Sequence, residues 1–183
     1  MLSVGDGDTI RVSTPSGTNK TTLRLACIDA PETSQVLGID ARQALQAELP
    51  IGTEVFLRPK ATDRYGRTVA EVLRGNTNIN QALVAAGAAF VYWQFIEGCD
   101  RETYSSLENE ARLRSLGIWH LPGGIQRPWD YRRGRKADQS SGSRYSCKQI
   151  GSWAKAQGLL KQGHTYLIYL DGNGDGEACE GLR

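Results

Sequence analysis

Two pairs of carboxylates near the start of the chain are the first residues whose types and spacing indicate chemistry. Asp6 and Asp8 are two residues apart, and the two-residue period of an extended chain turns both side chains to one side. Asp29 and Glu32 flank Pro31 at the end of a segment that is expected to be a strand. Carboxylate and carbonyl oxygens are the ligands of a hard cation such as Ca²⁺, and a further carboxylate can deprotonate a water molecule.

Two arginines complete this set. Arg24 lies in the segment that leads to Asp29, and Arg67 follows the tight turn of residues 63–66. A guanidinium group matches phosphate oxygens and stabilises the extra charge of a five-coordinate phosphorus, while a bound cation polarises a phosphoryl oxygen. The two histidines, His120 and His164, are far apart, so a catalytic histidine pair or a histidine-rich zinc site is poorly supported. The pattern predicts a phosphodiesterase whose general base is a carboxylate.

Short strands and amphipathic helices are expected to position these side chains. Alternating and helical apolar spacing predicts strands at 9–13, 20–29, 54–58 and 67–74, an extended aromatic segment at 88–95, and helices at 38–48, 78–86 and 101–116. Short strands with glycine corners favour a small closed barrel with packed helices over a doubly wound sheet. The predicted fold class is therefore α+β with a large β content.

Overall composition and charge restrict the function less than these motifs do. Hydrophobic residues make up 39% and charged residues 23% of the chain, a soluble globular balance without a transmembrane segment. The formal net charge of +2 is too small to predict a nucleic-acid partner from bulk electrostatics. The dense basic run at residues 132–136 is interpreted as the solvated entrance to a linker, with contact to a phosphate backbone as the alternative.

The composition changes towards the C-terminus. Residues 134–144 have no large apolar side chain, which is typical of a linker. Residues 145–183 are too few to fold through core burial alone. Cys147 and Cys179 bracket this unit, and a disulfide between them would close a loop of about 30 residues and stabilise it by roughly 3–4 kcal/mol.

Cysteine usage also bears on the compartment. A Cys147–Cys179 disulfide indicates an oxidising environment, so a secreted or cell-envelope location is expected, although no leader is present in this chain. Cys27 is interpreted as a small buried apolar residue. Its pairing with Cys99 is the less favoured alternative.

Five stretches, in this order and spacing, resemble the staphylococcal nuclease (thermonuclease) family over roughly residues 1–130. They are VGDGDTIRV (4–12), LRLACIDAPET (23–33), DRYGRTVAEV (63–72), INQALVAAG (79–87) and GIW (117–119). The resemblance implies a five-stranded OB-fold barrel with packed helices and a calcium-dependent nuclease that acts on single- and double-stranded DNA and RNA. In that family water attacks phosphorus and the 5′-oxygen leaves, which gives 3′-phosphate ends.

The same resemblance implies roles for individual residues. The calcium ligands would be Asp8, Asp29 and the carbonyl of Ala30, with Asp6 as nearby support. The other implied roles are general base for Glu32, phosphate binding and transition-state stabilisation for Arg24 and Arg67, and substrate contacts for Asp63, Arg64, Tyr65, Trp93 and Phe95. For the two aromatic residues Trp93 and Phe95, packing against the barrel is the alternative.

The C-terminal unit resembles the excalibur domain, whose signature is D-x-D-x-D-G-x-x-C-E. This implies an EF-hand-like loop in which a second calcium ion is held by Asp171, Asn173, Asp175 and Glu177. The predicted organisation is a catalytic domain at 1–133, a linker at 134–144 and a disulfide-stapled calcium-binding domain at 145–183. The last of these is expected to attach the protein to a cell surface or envelope.

Two other functions remain open. A domain of this fold that has lost its site would bind nucleic acid without cutting it, and the C-terminal unit could make the chain a calcium-dependent surface-binding protein. All the acidic and basic residues of the motif are present, namely Asp8, Arg24, Asp29, Glu32 and Arg67. This favours the enzyme, with an endonuclease as the expected type. The sequence does not determine the preference between DNA and RNA, the choice between endonuclease and exonuclease action, the oligomeric state or the role of the C-terminal unit.

Overall fold

The structure, a computed structural model, describes residues 1–14, 16–120, 123–134, 153–154 and 157. Contacts between residues divide the chain into two compact units, Met1–His120 with Arg127–Lys136, and Leu121–Gln126 with Ala137–Arg183. Several predictions lie outside the described residues: linker residues 135–144, the Cys147–Cys179 disulfide, and the calcium site at Asp171, Asn173, Asp175 and Glu177. In the part of the chain that is described, no helix has the length and apolar character needed to cross a bilayer.

The first unit is built on a mixed β-sheet. Its strands are β1 Ser3–Asp6, β2 Thr9–Ser13, β3 Lys20–Leu25, β4 Ile28–Asp29, β5 Phe56–Thr62, β6 Thr68–Arg74, β7 Thr77–Asn78 and β8 Phe90–Val91. One sheet has the order β1-β2-β3-β6-β5 with β7 on β6, and β4 pairs with β8. Only the β3–β6 pair is parallel among these described strands. The α+β arrangement is consistent with the predicted OB-fold, although β1 and β5 end the sheet without pairing to each other in the described residues.

Three strand predictions differ from the structure. The strand predicted at 54–58 is observed as β5 at Phe56–Thr62. The single strand predicted at 20–29 is divided into β3 and β4, because Cys27 adopts a left-handed φ of 64°. The extended segment predicted at 88–95 is the short strand β8, and Trp93–Phe95 then form a 3₁₀ turn. Both breaks turn the chain next to Asp29, since β4 pairs with β8.

Four helices accompany the sheet: α1 Gly38–Glu48, α2 Ile79–Ala85, α3 Arg101–Leu113 and α4 Pro128–Arg132. Side chains cap two of them, because Asn78 accepts a hydrogen bond from the Gln81 amide and Asp100 accepts one from the Thr103 amide. The first three helices lie where the sequence predicts them, although α3 ends at Leu113, three residues before its predicted end. Helix α4 was not predicted; it begins with proline at its first position, where a missing N–H costs no hydrogen bond.

A continuous core joins the sheet to the helices. Ile10, Leu23 and Leu25 of the sheet share one buried cluster with Leu45 of α1 and Leu83 of α2. Each of these side chains is almost fully shielded from solvent, and burying one stabilises the fold by about 1.5–3 kcal/mol. The core therefore fixes the start of β2, which directly follows Asp8, and the end of β3, which contains Arg24.

A polar network is centred on Glu71, a buried residue of β6. The carboxylate of Glu71 accepts hydrogen bonds from Asn78 at 2.8 Å and Tyr104 at 3.1 Å, and pairs with the ammonium group of Lys60 at 2.9 Å. Burial acts to raise the pKa of Glu71, but these three partners outweigh burial and lower that pKa below its ordinary value. Glu71 is thus a charged but fully satisfied part of the scaffold.

A disulfide joins Cys27 to Cys99, with the two Cα atoms 6.6 Å apart. The interpretation of Cys27 as unpaired was therefore wrong, although its burial agrees with the prediction. The left-handed turn at Cys27 ends β3, and Cys99 lies in the loop that leads into α3. The bond thus ties the turn between Arg24 and Asp29 to a segment that is remote in sequence.

Candidate active site

Asp8, Arg24 and Asp29 meet because the turn before β2 packs on the break between β3 and β4. In the β2–β3 pairing, Thr9 lies opposite Arg24. The Leu25 amide donates to the carbonyl of Asp8 at 2.8 Å, and the Ala30 amide donates to Oδ2 of Asp8 at 2.7 Å. Backbone hydrogen bonds therefore hold the first acidic turn directly against the second.

A glycine makes this close approach possible. A Cβ atom added to Gly7 would lie 2.6 Å from the Cβ of Ala30 and 2.8 Å from the Cβ of Ala41. Any side chain at this position would push the turn away from β4 and α1. The glycine between Asp6 and Asp8 is thus part of the geometry of the site.

The guanidinium group of Arg24 bridges the two buried aspartates. Its Nη2 donates to Oδ1 of Asp29 at 2.5 Å, and its Nη1 pairs with Oδ2 of Asp8. The Asp8 and Asp29 residues are 4% and 0% exposed, whereas the Arg24 side chain keeps 15% of its surface accessible. Arg24 is therefore held rigidly, with one side open to a ligand.

Negative charge is concentrated around this arginine. Burial raises the pKa of Asp8 to about 7, against the attraction of Arg24, and the charges of Asp6 and Asp29 act in the same direction as burial. Burial also raises the pKa of Asp29, against hydrogen bonds from Arg132 and the attraction of Arg24. Burial thus outweighs the arginines at both carboxylates and disfavours their charged forms.

This donor set fits a hard divalent cation. Asp8, Asp29 and the Ala30 carbonyl offer oxygen atoms, and a cation bound there would share the two carboxylates with Arg24 and Arg132. Among the described residues, no three histidine, cysteine or acidic side chains converge into a metal cage. The carbonyl, water and substrate oxygens would therefore have to complete the coordination shell.

Glu32 follows Pro31 in a tight turn that packs on the start of α1. The Glu32 amide donates to Oε1 of Gln35 at 3.2 Å, and the Gln35 amide donates back to the carbonyl of Glu32 at 2.8 Å. A Cβ on Gly38 would fall only 1.7 Å from that same carbonyl oxygen. The backbone of Glu32 is therefore fixed, while its carboxylate remains 31% exposed.

Arg67 is presented by the turn between β5 and β6. Asp63 organises this turn by accepting hydrogen bonds from the Arg67 amide and the Tyr65 amide, both at 2.9 Å, and from Nε of Arg67 at 2.7 Å. Burial is the largest single effect and acts to raise the pKa of Asp63, but the hydrogen bonds from Arg67 and Tyr65 together outweigh it and lower that pKa. The guanidinium groups of Arg64 and Arg67 lie over the Tyr65 ring, 4.8 and 5.4 Å from its centroid. Asp63 thus supports the arginines rather than offering free oxygens to a ligand.

One cavity of about 1250 Å³ brings most of the predicted site together. The predicted residues on its wall are Asp6, Asp8, Arg24, Glu32, Asp63, Arg64, Tyr65, Arg67 and Phe95. Asp29 and the backbone of Ala30 lie directly behind this wall, where Asp29 bonds to Arg24 and the Ala30 amide bonds to Asp8. Carboxylates and guanidinium groups therefore face a common cleft.

The predicted aromatic pair is separated in the structure. Phe95 lines the cavity and is 57% exposed, whereas Trp93 lies in a different depression beside Arg101, where its Nε1 donates to Glu108 at 3.1 Å. The 3₁₀ turn at Trp93–Phe95 causes this, because it turns the two side chains in different directions. Trp129 of α4 lines the cavity instead, stacked on Tyr92 with ring centroids 5.0 Å apart.

Sequence reasoning missed Arg132, which enters the site from α4. Its Nη1 donates to Oε1 of Glu32 at 2.7 Å and to Oδ1 of Asp29 at 3.1 Å, and its Nη2 donates to Oδ2 of Asp29 at 2.7 Å. The interpretation of residues 132–136 as a solvated linker entrance is wrong for Arg132. The alternative interpretation of this run, contact with a phosphate backbone, did not predict these two carboxylate partners either.

Comparisons with known proteins place this geometry in a family. The family model described as staphylococcal nuclease homologue matches residues 22–121. Micrococcal nuclease of Shigella flexneri is 41% identical over 145 residues, which cover 74% of this chain and 80% of that protein. Protein ParB of Escherichia coli is 38% identical over 142 residues, with 73% and 77% covered. An uncharacterized endonuclease of Haemophilus influenzae is 33% identical over 140 residues, with 76% and 75% covered.

The fold and cleft define a small α+β domain that gathers carboxylates and arginines around one cavity. The matched residues contain Arg24, Asp29, Glu32 and Arg67, while Asp8 and Arg132 lie on either side of them. The chain belongs to the family of staphylococcal nuclease homologues. Its relatives support a nuclease function.

Proposed function

We propose that this protein is a calcium-dependent endonuclease that hydrolyses phosphodiester bonds of DNA and RNA and leaves 3′-phosphate ends. The observation that carries the proposal is the Arg24 guanidinium clamped between Asp8 and Asp29 on the wall of the large cleft. Glu32 and Arg67 line the same cleft. An anionic ligand there would meet two guanidinium groups and a carboxylate, which is the set that phosphoryl transfer to water requires.

The calcium ion would be held by Asp8, Asp29 and the Ala30 carbonyl, with Asp6 close by. When bound, it supplies neutralising charge and polarises a phosphoryl oxygen. Asp8 and Asp29 also keep the Arg24 side chain from rotating, so this arginine loses little further conformational entropy when it binds the phosphate. The donors of a guanidinium group match the phosphoryl oxygens and favour the form in which those oxygens carry the greatest negative charge.

Proton transfer is assigned to Glu32. Its carboxylate takes a proton from a water molecule, whose oxygen attacks phosphorus as the bond to the 5′-oxygen breaks. Negative charge then grows on the oxygens around phosphorus, where Arg24 and Arg67 stabilise it. The phosphate remains on the 3′ side, and the 5′-oxygen leaves with a proton taken from solvent.

Aromatic side chains at the cleft suit single-stranded nucleic acid. Tyr65 is 68% and Phe95 is 57% exposed on its wall, and unpaired bases stack on such rings with little sequence preference. Tyr65 carries two guanidinium groups over its ring, so base stacking and phosphate contacts would lie next to each other. We infer that single strands, or strands that open easily, are the preferred substrates.

We also propose that the protein acts outside the cytosol, secreted or attached to the cell envelope. The Cys27–Cys99 disulfide supports an oxidising compartment. Surface attachment and a second calcium ion are proposals about residues 145–183, and they rest on the resemblance of that unit to the excalibur domain.

A nuclease assay tests the function. The wild-type protein should cut single-stranded DNA and RNA faster than double-stranded DNA when Ca²⁺ is present, stop after addition of a chelator, and resume when Ca²⁺ is restored. End analysis of the products should find 3′-phosphates. Binding of the same strands without cleavage, with or without Ca²⁺, would instead identify a non-catalytic nucleic-acid-binding module.

A further inference from the structure

Helix α4 (Pro128–Arg132) lies beyond the residues that match the family model, yet it is tightly joined to the cleft. The ring of Trp129 stacks on Tyr92 with an interplanar angle of 2°, and its edge contacts Phe90 at a centroid distance of 6.1 Å. The Tyr131 hydroxyl lies 3.1 Å from the hydroxyl of Ser34, two residues after Glu32. These contacts define both the position and the rotation of the helix.

The anchored helix ends with Arg132 on two carboxylates. The guanidinium group forms a two-point pair with Asp29 and a third hydrogen bond with Glu32. Asp29 is fully buried and is already engaged by Arg24, so its position is fixed by the core. Glu32 by contrast is partly exposed, and Arg132 is the group that ties its carboxylate to that fixed point.

We propose that Arg132 is a positioning residue that holds the Glu32 carboxylate beside Asp29. Without the guanidinium group, the like charges of the two carboxylates would repel each other and Glu32 would turn towards solvent. The planar fork of arginine can hold both carboxylates at once, whereas the single ammonium group of lysine cannot reproduce this geometry. Arg132 thus completes the site from outside the family-matched residues and acts on the water-activating group rather than on substrate.

This inference rests on the proposed function, in which Glu32 is the general base. Wild-type activity, measured first, tests that function alone. The variant Arg132→Gln is then compared with Arg114→Gln, which removes the same charge from an exposed position at the end of α3. Kinetics on a single-stranded DNA oligonucleotide with saturating Ca²⁺ separate kcat from KM, and circular dichroism verifies that each variant is folded.

Arg132→Gln should lower kcat about 10- to 100-fold, the usual result of a misplaced catalytic group, and change KM less than about threefold. Arg132→Lys should recover only a small part of this loss, while Arg114→Gln should match the wild type. In a protein that already carries Glu32→Gln, Arg132→Gln should reduce kcat less than about threefold further, because both changes act on one group.

Four results would overturn the proposal. A raised KM with unchanged kcat for Arg132→Gln would show that Arg132 binds substrate. Full activity of Arg132→Lys would show that the positive charge alone is sufficient and that the two-point geometry of the guanidinium group is not needed. A loss in the Glu32→Gln background as large as in the wild type would show that Arg132 acts independently of Glu32. A crystal structure of Arg132→Gln gives a readout without catalysis: Glu32 should turn away from Asp29, and an unchanged Glu32 would contradict the positioning role.

Discussion

Removal of the Cys27–Cys99 disulfide should strongly destabilise the catalytic unit. The two cysteines are 72 residues apart in sequence, and a cross-link that closes a loop of this length lowers the entropy of the unfolded chain by an amount worth about 4 kcal/mol. That is a large part of the 5–15 kcal/mol that is usual for a folded domain. The variant Cys27→Ala/Cys99→Ala should therefore lose about 4 kcal/mol of unfolding free energy, which corresponds to a Tm lower by roughly 10–20 °C.

Urea denaturation followed by tryptophan fluorescence measures this loss. Reductant should destabilise the wild type by a similar amount. The double variant treated with the same reductant is the matched control, since any change in it must come from Cys147 and Cys179. A loss below about 1 kcal/mol, with reductant equally harmless to the wild type, would refute the loop-entropy reasoning.

Three further changes probe the scaffold and the cleft. Glu71→Gln should lower the unfolding free energy by about 1–3 kcal/mol, because Lys60 loses its buried ionic partner. Since folding lowers the pKa of Glu71, its contribution to stability is complete above the ordinary pKa of 4.5 and is lost as the pH falls through the lower folded-state pKa. Denaturation at pH 7 and at pH 3 should therefore show that the stability advantage of the wild type over the variant shrinks in acid. Gly38→Ala should lower the unfolding free energy by about 1–3 kcal/mol in the same assay and also lower kcat, because the added methyl group would clash with the backbone carbonyl of Glu32, the proposed general base. Unchanged stability of this variant would contradict the prediction. Phe95→Ala should raise KM for single-stranded DNA about tenfold, the effect of one lost stacking contact, whereas Trp93→Ala should leave KM unchanged. Equal changes in KM for the two variants would contradict the assignment of Phe95, and not Trp93, to the cleft.

The carboxylates and arginines of the cleft could be found from the sequence because they belong to short local patterns. Arg24, Asp29 and Glu32 lie within nine residues of each other, and the alternation of apolar residues indicates the extended segment that contains Arg24. The turn at Asp63 is equally local, since its oxygens accept hydrogen bonds from residues two and four positions later. Local geometry of this kind depends on neighbouring residues alone.

The parts that sequence reasoning missed depend on contacts between distant residues. Cys27 shows no preference for Cys99 until the fold places them together. In the sequence, Arg132 is indistinguishable from the other basic residues of its run until Trp129 stacks on Tyr92 and fixes α4. The family resemblance also implied that Trp93 contacts substrate, but the 3₁₀ turn at Trp93–Phe95 places its side chain outside the cleft. These outcomes are set by tertiary packing, which apolar periodicity does not encode.

The most direct test of the account is the rate of single-stranded DNA hydrolysis by Arg24→Lys and Arg24→Ala with saturating Ca²⁺. Lysine keeps the positive charge between Asp8 and Asp29 but lacks the planar pair of donors of a guanidinium group, and alanine lacks both. Both variants should therefore lose about 10²- to 10³-fold in kcat while remaining folded. Wild-type rates in a folded Arg24→Ala protein would contradict the claim that this clamped guanidinium group stabilises the transition state.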